Sequence, residues 1–301
     1  MATKITLGVN NGFAAKNWPE PEAWAKIVAS DLGLKEVQFS FDLLDPLMPE
    51  PGRSAMCEDV VRAVKAYGLS LRTAFTGLII YAQNHLAHPD PKVRAEAYRW
   101  FQAALEVTSK LGAEACGGHM GAMSAADYAD LKRRAFIREN LIESVRDLTH
   151  LAARLGHKYF LWEPMPTPRE IPHTPEEAIE LLTEVNKGAS VPVRLCFDLG
   201  HCNSFDFEKP GDPHEWLEKL LPWTLIVHLQ QTDGHADHHW PFTREHAKNG
   251  IIDPKRVIEI VKHSPLPEVS LLFELGHAFD APDAQIIDEH KQSVELWQKW
   301  L

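Results

Sequence analysis

Cysteine is scarce. The chain of 301 residues holds four, Cys57, Cys116, Cys196 and Cys202, with no CxxC pair among them. That fits a reducing cytoplasm better than a disulfide framework. No apolar run approaches the roughly 18 residues needed to span a membrane. The opening MATKITLGVNNGF lacks the basic-then-apolar shape of a signal peptide, so a soluble cytoplasmic protein with no membrane partner is expected. Positive charge is also in short supply. A formal net charge of −11 argues against nucleic acid as a general partner, because phosphate backbones call for a basic surface. A small anionic substrate is still admitted, since it needs only one or two local cations. No linker rich in glycine or serine and no low-complexity segment interrupts the chain, which reads as one domain over residues 1–301. No GxGxxG turn follows the first apolar run, which counts against a doubly wound dinucleotide-binding sheet.

What is present is regular. Short apolar runs alternate with amphipathic stretches from end to end: 5–10, 36–41, 70–75, 114–120, 158–164, 193–201, 225–231 and 269–276 read as strands. Helical patterns separate them, with local punctuation such as Gly68 after one helix and Pro91 in the first turn of another. Eight strands, each followed by a helix, is the period of a single (β/α)₈ TIM barrel, and the fold class is therefore α/β. In such barrels chemistry sits at the C-terminal ends of the strands. Polar residues at those ends become the suspects: Asn10, Asn11, Asp42, Thr76, His119, Glu163, Asp198, His201, His228, Gln230, Asp233, Glu274 and His277.

Three of them are carboxylates delivered by apolar strands: FLW-Glu163, LCF-Asp198 and LLF-Glu274. Acids converging in a poorly hydrated mouth repel one another and take up protons unless an opposite charge intervenes. A hard divalent cation relieves this. For a single acid, an ion pair or a helix cap explains the position as well; Asp198 in particular could cap a turn through Gly200. Three acids on the fifth, sixth and eighth strands favour the metal. The run HLQQTDGHADHHW, residues 228–240, adds four histidines and two aspartates. His228 and Gln230 are two apart and face the same way on a strand, so either could supply a ligand. His235, His238 and His239 lie beyond the strand, where they either cover a substrate or form a solvated loop.

The succession Glu163-Pro164, Asp198-Leu199-Gly200-His201, His228-Leu229-Gln230-Gln231-Thr232-Asp233 and Glu274-Leu275-Gly276 resembles the xylose isomerase-like TIM barrels. That superfamily includes sugar and sugar-phosphate isomerases, ketose 3-epimerases, hydroxypyruvate isomerase, inosose dehydratase and endonuclease IV. The resemblance implies one divalent metal ion, Mg²⁺ or Mn²⁺ with Co²⁺ also admitted, held by Glu163, Asp198, Gln230 and Glu274. Gln230 stands where the epimerases carry histidine, a departure shared with the hydroxypyruvate isomerase branch; the trailing Asp233 favours Gln230 over His228. Glu163 and Glu274 would also be the catalytic acid/base pair. His201 resembles a histidine that binds a substrate oxygen. Arg169 stands where the epimerases have a glutamate and could hold a phosphate or carboxylate, and Arg244 resembles a substrate-contacting arginine; a surface salt bridge is the alternative for both, and accounts for Arg244 equally well. His119, beside the glycines of CGGHMG, His228 and His235 complete the candidate substrate-binding set.

This arrangement suits proton abstraction beside a carbonyl, with the cation stabilising an enediolate and a carboxylate on each side of the substrate plane. The expected activity is isomerisation or 3-epimerisation of a small ketose or ketose phosphate, for example a tetrulose phosphate. A lyase of the inosose dehydratase type would use the same metal, a non-catalytic sugar-binding barrel would not turn over, and an endonuclease IV-like activity is opposed by the net charge. The aromatics Trp18, Phe41, Phe75 and Trp162 either wall the cleft or pack under the rim. The long connection 77–91 reads as a lid, a subunit contact in a homo-oligomer, or a helical turn on the rim.

Overall fold

The computed structural model describes residues 3–202 and 211–301. Its strands are β1 (Lys4–Asn10), β2 (Glu36–Ser40), β3 (Ser70–Phe75), β4 (Ala115–Gly118), β5 (Tyr159–Trp162), β6 (Val193–Asp198), β7 (Thr224–Leu229) and β8 (Glu268–Phe273). They run in chain order and close into a parallel barrel. The expected (β/α)₈ architecture is thus the observed one. Strands of a parallel barrel are covered on both faces, which is why they read as near-continuous apolar runs. β2 and β7 are buried at every residue.

The sequence runs were too long at their C-terminal ends. β5 stops at Trp162, before Glu163, and β7 stops at Leu229, before Gln230. Beyond these points the ladder gives way: the Glu163 N–H makes a last bond to Gly118 O (3.0 Å), and Gln231 pairs with Trp240 of its own loop.

By internal contacts the residues group into two compact units, one of 1–38, 62–70 and 196–301, the other of 39–61 and 71–195. In the first, β1 pairs with β2 in the register Asn10↔Gln38 and with β8 in the register Val9↔Phe273, and β7 pairs with β8 through His228↔Leu272. Gly8 makes this closeness possible, since a Cβ there would meet the Glu36 carbonyl oxygen at 2.5 Å. The second unit pairs β3 with β4, β4 with β5, and β5 with the start of β6 through Trp162↔Leu195.

The helices follow their sequence signals. Helix 91–110 begins with Asp90 as N-cap and Pro91 in its first turn, and helix 175–185 begins with the Thr174 hydroxyl accepting from the Glu177 N–H. The connection 77–91 resolves into a turn of helix at Leu78–Tyr81 and a 3₁₀ turn at His85–Ala87. Leu86 N–H donates to Met120 O (3.2 Å) and Asn84 Nδ2 to Ala122 O (2.6 Å), so this segment is a helical turn packed on the loop after β4. Phe41, Phe75 and Trp162 are likewise buried packing, Phe41 edge-on to Trp100. No helix among the described residues is long and apolar enough to cross a membrane.

Two buried histidines load the fold with an acid sensitivity. Burial pulls His85 and His290 down to about 4, from an ordinary histidine value near 6.5. The unfolded chain therefore binds more protons than the native one between those values. Stability is complete above pH 6.5 and falls as pH drops toward 4, by roughly 3 kcal/mol for each histidine. Urea midpoints should decline over that window, and His290→Gln should shrink the decline.

Candidate active site

Asp198 closes β6 and is fully buried. Its two oxygens have different fates. Oδ1 accepts from the Gly200 N–H (2.6 Å) and from Gln230 Nε2 (2.8 Å), so the cap through Gly200 anticipated from the sequence is present. Oδ2 is buried without a hydrogen-bond partner. Burial pushes the Asp198 carboxyl above its ordinary value, although His201 and His239 pull against it.

Glu274 follows β8, its N–H donating to Leu229 O (3.1 Å) at the end of β7. Its Oε1 accepts from Asn10 Nδ2 (3.2 Å), and its Oε2 lies 2.8 Å from His228 Nδ1. Burial alone would raise its pKa, but His228, then His239 and His201, outweigh burial and hold it at about 2. Glu274 is therefore ionised at neutral pH. One ligand atom from each of Asp198, His228 and Glu274 lies within 4.8 Å of the others.

His228 lies on β7 and Gln230 just beyond its end, and they reach different partners. His228 Nε2 meets Gln38 Oε1 (2.6 Å) and Cys196 Sγ (3.3 Å), while Nδ1 meets Glu274. Gln230 lies against Asp198 and Asp237, donating to Asp237 Oδ1 (2.6 Å), and its own oxygen accepts the His239 N–H. A Cβ on Gly200 would strike the Gln230 amide at 2.2 Å, so the glycine of DLGH is what lets this amide lie flat on the turn.

The histidine-rich run divides. His235 is exposed, and its N–H donates to Asp233 Oδ1 (2.9 Å). His238 bonds Asp233 (3.1 Å) and stacks on Trp240 at 3.8 Å, and Trp240 in turn stacks on His246 at 4.8 Å. Of the three loop histidines, His239 turns inward, its Nδ1 bonded to Glu274 O (2.9 Å). The centre of this loop is Asp237, which the sequence reading passed over. Its carboxylate contacts Gln230, His201 Nε2 (3.3 Å) and His239 Nε2 (3.2 Å). Burial opposes a charged His239, yet Asp237, then Asp198 and Glu274, hold it at about 10. Asp237 sits in the conspicuous run, but nothing in its spacing reveals that the loop folds back through the Gln231–Trp240 bridge.

In the second unit, Glu163 follows β5 and is buried, its N–H donating to Gly118 O (3.0 Å). His119 follows β4, buried, with its N–H donating to the Thr76 hydroxyl (3.2 Å) and its ring near Tyr81 at 5.6 Å. Arg169 is half-buried and donates to Met123 O (3.3 Å), tying the loop after β5 to the loop after β4. Arg244 is exposed on the loop after Trp240. His277 points to the outer helix, bonded to Glu289 (2.9 Å) and stacked on His290, so it takes no part in this cluster.

The model of the xylose isomerase-like TIM barrel matches residues 27–299. The chain belongs to that family. A protein of Brucella abortus (strain 2308) named D-erythrulose 1-phosphate 3-epimerase is 26% identical over 97% of this chain and 95% of its own. A crystal structure from Rhodospirillum rubrum ATCC 11170, described as a candidate xylose isomerase, has a TM-score of 0.91 at 31% identity, covering 98% of this chain and 99% of the other. D-psicose 3-epimerase of Clostridium cellulolyticum H10, solved with D-tagatose, shares the fold at a TM-score of 0.73 and 16% identity, covering 98% and 99%.

Replacing Asp237 by alanine should bring the His239 ring down from about 10 toward the ordinary value near 6.5, because its largest opposing charge is gone. An NMR titration of the ring protons in metal-free protein measures this.

Proposed function

We propose that this protein is a 3-epimerase of a short ketose phosphate that works with one divalent cation. The observation that carries the reading is the buried Asp198 carboxylate, one oxygen without a hydrogen bond, grouped with Glu274 and His228. The similarity to D-erythrulose 1-phosphate 3-epimerase along nearly the whole chain supports the substrate class. Carboxylates with an amide beside them suit a hard cation, Mg²⁺ or Mn²⁺, with Co²⁺ admitted. Glu163, Asp198, Gln230 and Glu274, on successive barrel strands, would hold it. Gln230 is the seventh-strand ligand in this reading because it holds the family's ligand position ahead of Asp233; its amide nitrogen faces Asp198 and its oxygen the His239 N–H, so it would have to turn that oxygen toward the cation. When bound, the cation supplies positive charge to the carbonyl and neighbouring hydroxyl oxygens of a ketose.

The residues do the proton work. Glu274, ionised at neutral pH, takes the proton from C3, the carbon beside the carbonyl. The C–H electron pair moves into the C2–C3 bond and the carbonyl π pair onto oxygen. Glu163, entering protonated, gives its proton to the opposite face: the C2–C3 π pair takes it, the oxygen pair re-forms the carbonyl, and C3 emerges inverted with Glu274 protonated and Glu163 ionised. Asp198, its Oδ1 committed to Gly200 and Gln230, serves as a ligand alone. His201, braced by Asp237, and His119 contact substrate hydroxyls. Arg169, half-buried on the loop after β5, would take the phosphate; Arg244 and His235, both exposed, would engage only a ligand reaching out to their loop.

The test is D-erythrulose 1-phosphate with Mn²⁺ in D₂O, with C4–C6 ketoses and aldoses and their phosphates alongside. Deuterium should enter at C3 with formation of the C3 epimer. Chelation should abolish turnover and Mn²⁺ restore it, and Glu163→Gln and Glu274→Gln should each lose about 10²–10⁴-fold in kcat. No exchange with any of these sugars would overturn the reading. A second measurement decides the β7 ligand: Gln230→Ala should weaken Mn²⁺ binding in calorimetry more than His228→Asn does. The reverse order would assign the ligand to His228.

A further inference from the structure

We propose that Asn10 and Gln38, two neutral amides on β1 and β2, are positioning residues that fix the plane of the Glu274 carboxylate; this rests on the reading of Glu274 as the proton acceptor. The two are Cα partners in the β1–β2 ladder and are 3% and 0% exposed. Burying two amides in a barrel core is costly unless their hydrogen bonds are made, and here the bonds run in one direction.

That direction is set at the edge of the network. The Gly12 N–H donates to Asn10 Oδ1 (2.8 Å), so the Asn10 amide nitrogen must face the other way. There it donates to Gln38 Oε1 (3.0 Å) and to Glu274 Oε1 (3.2 Å). Gln38 Oε1 is therefore an acceptor, and His228 Nε2, 2.6 Å from it, carries a hydrogen. The ring is thereby oriented with Nδ1 at 2.8 Å from Glu274 Oε2. Asn10, Gln38, His228 and Glu274 thus close a ring in which each carboxylate oxygen of Glu274 has its own neighbour.

The consequence lies in the terminal torsion of glutamate, which is broad and two-fold when nothing holds it. The Asn10 hydrogen bond on Oε1, from β1, and the His228 ring 2.8 Å from Oε2, from β7, together fix its plane. A base must aim one lone pair at one C–H bond, and misplacement by about 1 Å costs on the order of 10²-fold in rate. Neutral amides do this without setting a second negative charge beside Glu274, as an aspartate at position 10 would.

The experiment uses the full-length Mn²⁺-loaded enzyme with D-erythrulose 1-phosphate. Asn10→Ala and Gln38→Leu should lower kcat by about 10–100-fold while KM and Mn²⁺ affinity change less than about threefold. Asn10→Asp keeps the Gly12 bond but loses the donor, and should fall as far as Asn10→Ala. Gln38→Glu keeps the acceptor oxygen for His228 and should recover much of what Gln38→Leu loses. Wild-type kcat in Asn10→Ala and Gln38→Leu, with Glu274→Gln inactive, would overturn the positioning role alone. Full activity of Glu274→Gln would overturn the reading beneath it. Two readouts need no substrate. The His228 ring in ¹H–¹⁵N spectra should lose its Nε2-protonated signature in Gln38→Leu, and a crystal structure of Asn10→Ala should show the Glu274 carboxylate rotated. An unchanged ring signal and an unchanged carboxylate plane would overturn the proposal.

Discussion

A carboxylate inside a barrel cannot be stabilised by bulk water, and every feature around Asp198 and Glu274 answers to that constraint. Taking a carboxylate out of water raises its proton affinity unless charge or hydrogen bonds are supplied locally. The two acids meet the demand differently. Glu274 receives a histidine on one oxygen and an amide on the other, and its proton affinity falls to about 2. Asp198 receives its bonds on one oxygen only and stays raised. This asymmetry leaves Glu274 charged with a neighbour on each oxygen, and Asp198 with one oxygen that makes no hydrogen bond.

The same constraint organises the elements. The Asn10–Gln38 partnership depends on the β1–β2 register, and a slip of either strand by one residue would send its amide to the opposite face. Gly8 and Gly200 permit close approaches that a methyl group would block, the first between strands, the second between the DLGH turn and Gln230. On the loop after β7, Asp237 joins His201, His239 and Gln230, so a surface segment becomes part of the inner polar network. Its neighbours His238 and Trp240 form an outer stack, which helps to hold that loop in shape.

Much of this was legible in the residues. Apolar runs ending in an acid marked Glu163, Asp198 and Glu274, because a parallel strand buried on both faces must be apolar until it emerges. The eightfold alternation announced the barrel for the same reason. The fate of the histidine run was only partly legible: spacing separated strand from loop, but could not distinguish the inward His239 from the stacked His238. Both are loop residues one position apart, and the positive φ of His239 is a property of the folded chain. Gln38 and Asp237 escaped notice because their partners lie far away in sequence or across a turn, at His228, Asn10 and His201.

The sequence by itself determined the fold class, the order of the strands and the set of acids at their ends, since each depends on local periodicity and on where an apolar run stops. Tertiary structure alone decided which partners those acids keep. Hydrogen bonds between β1, β2, β7 and β8 join residues up to 264 positions apart, as between Asn10 and Glu274. Whether a glutamate is a base, a ligand or a bystander depends on groups that only barrel closure brings within about 3 Å.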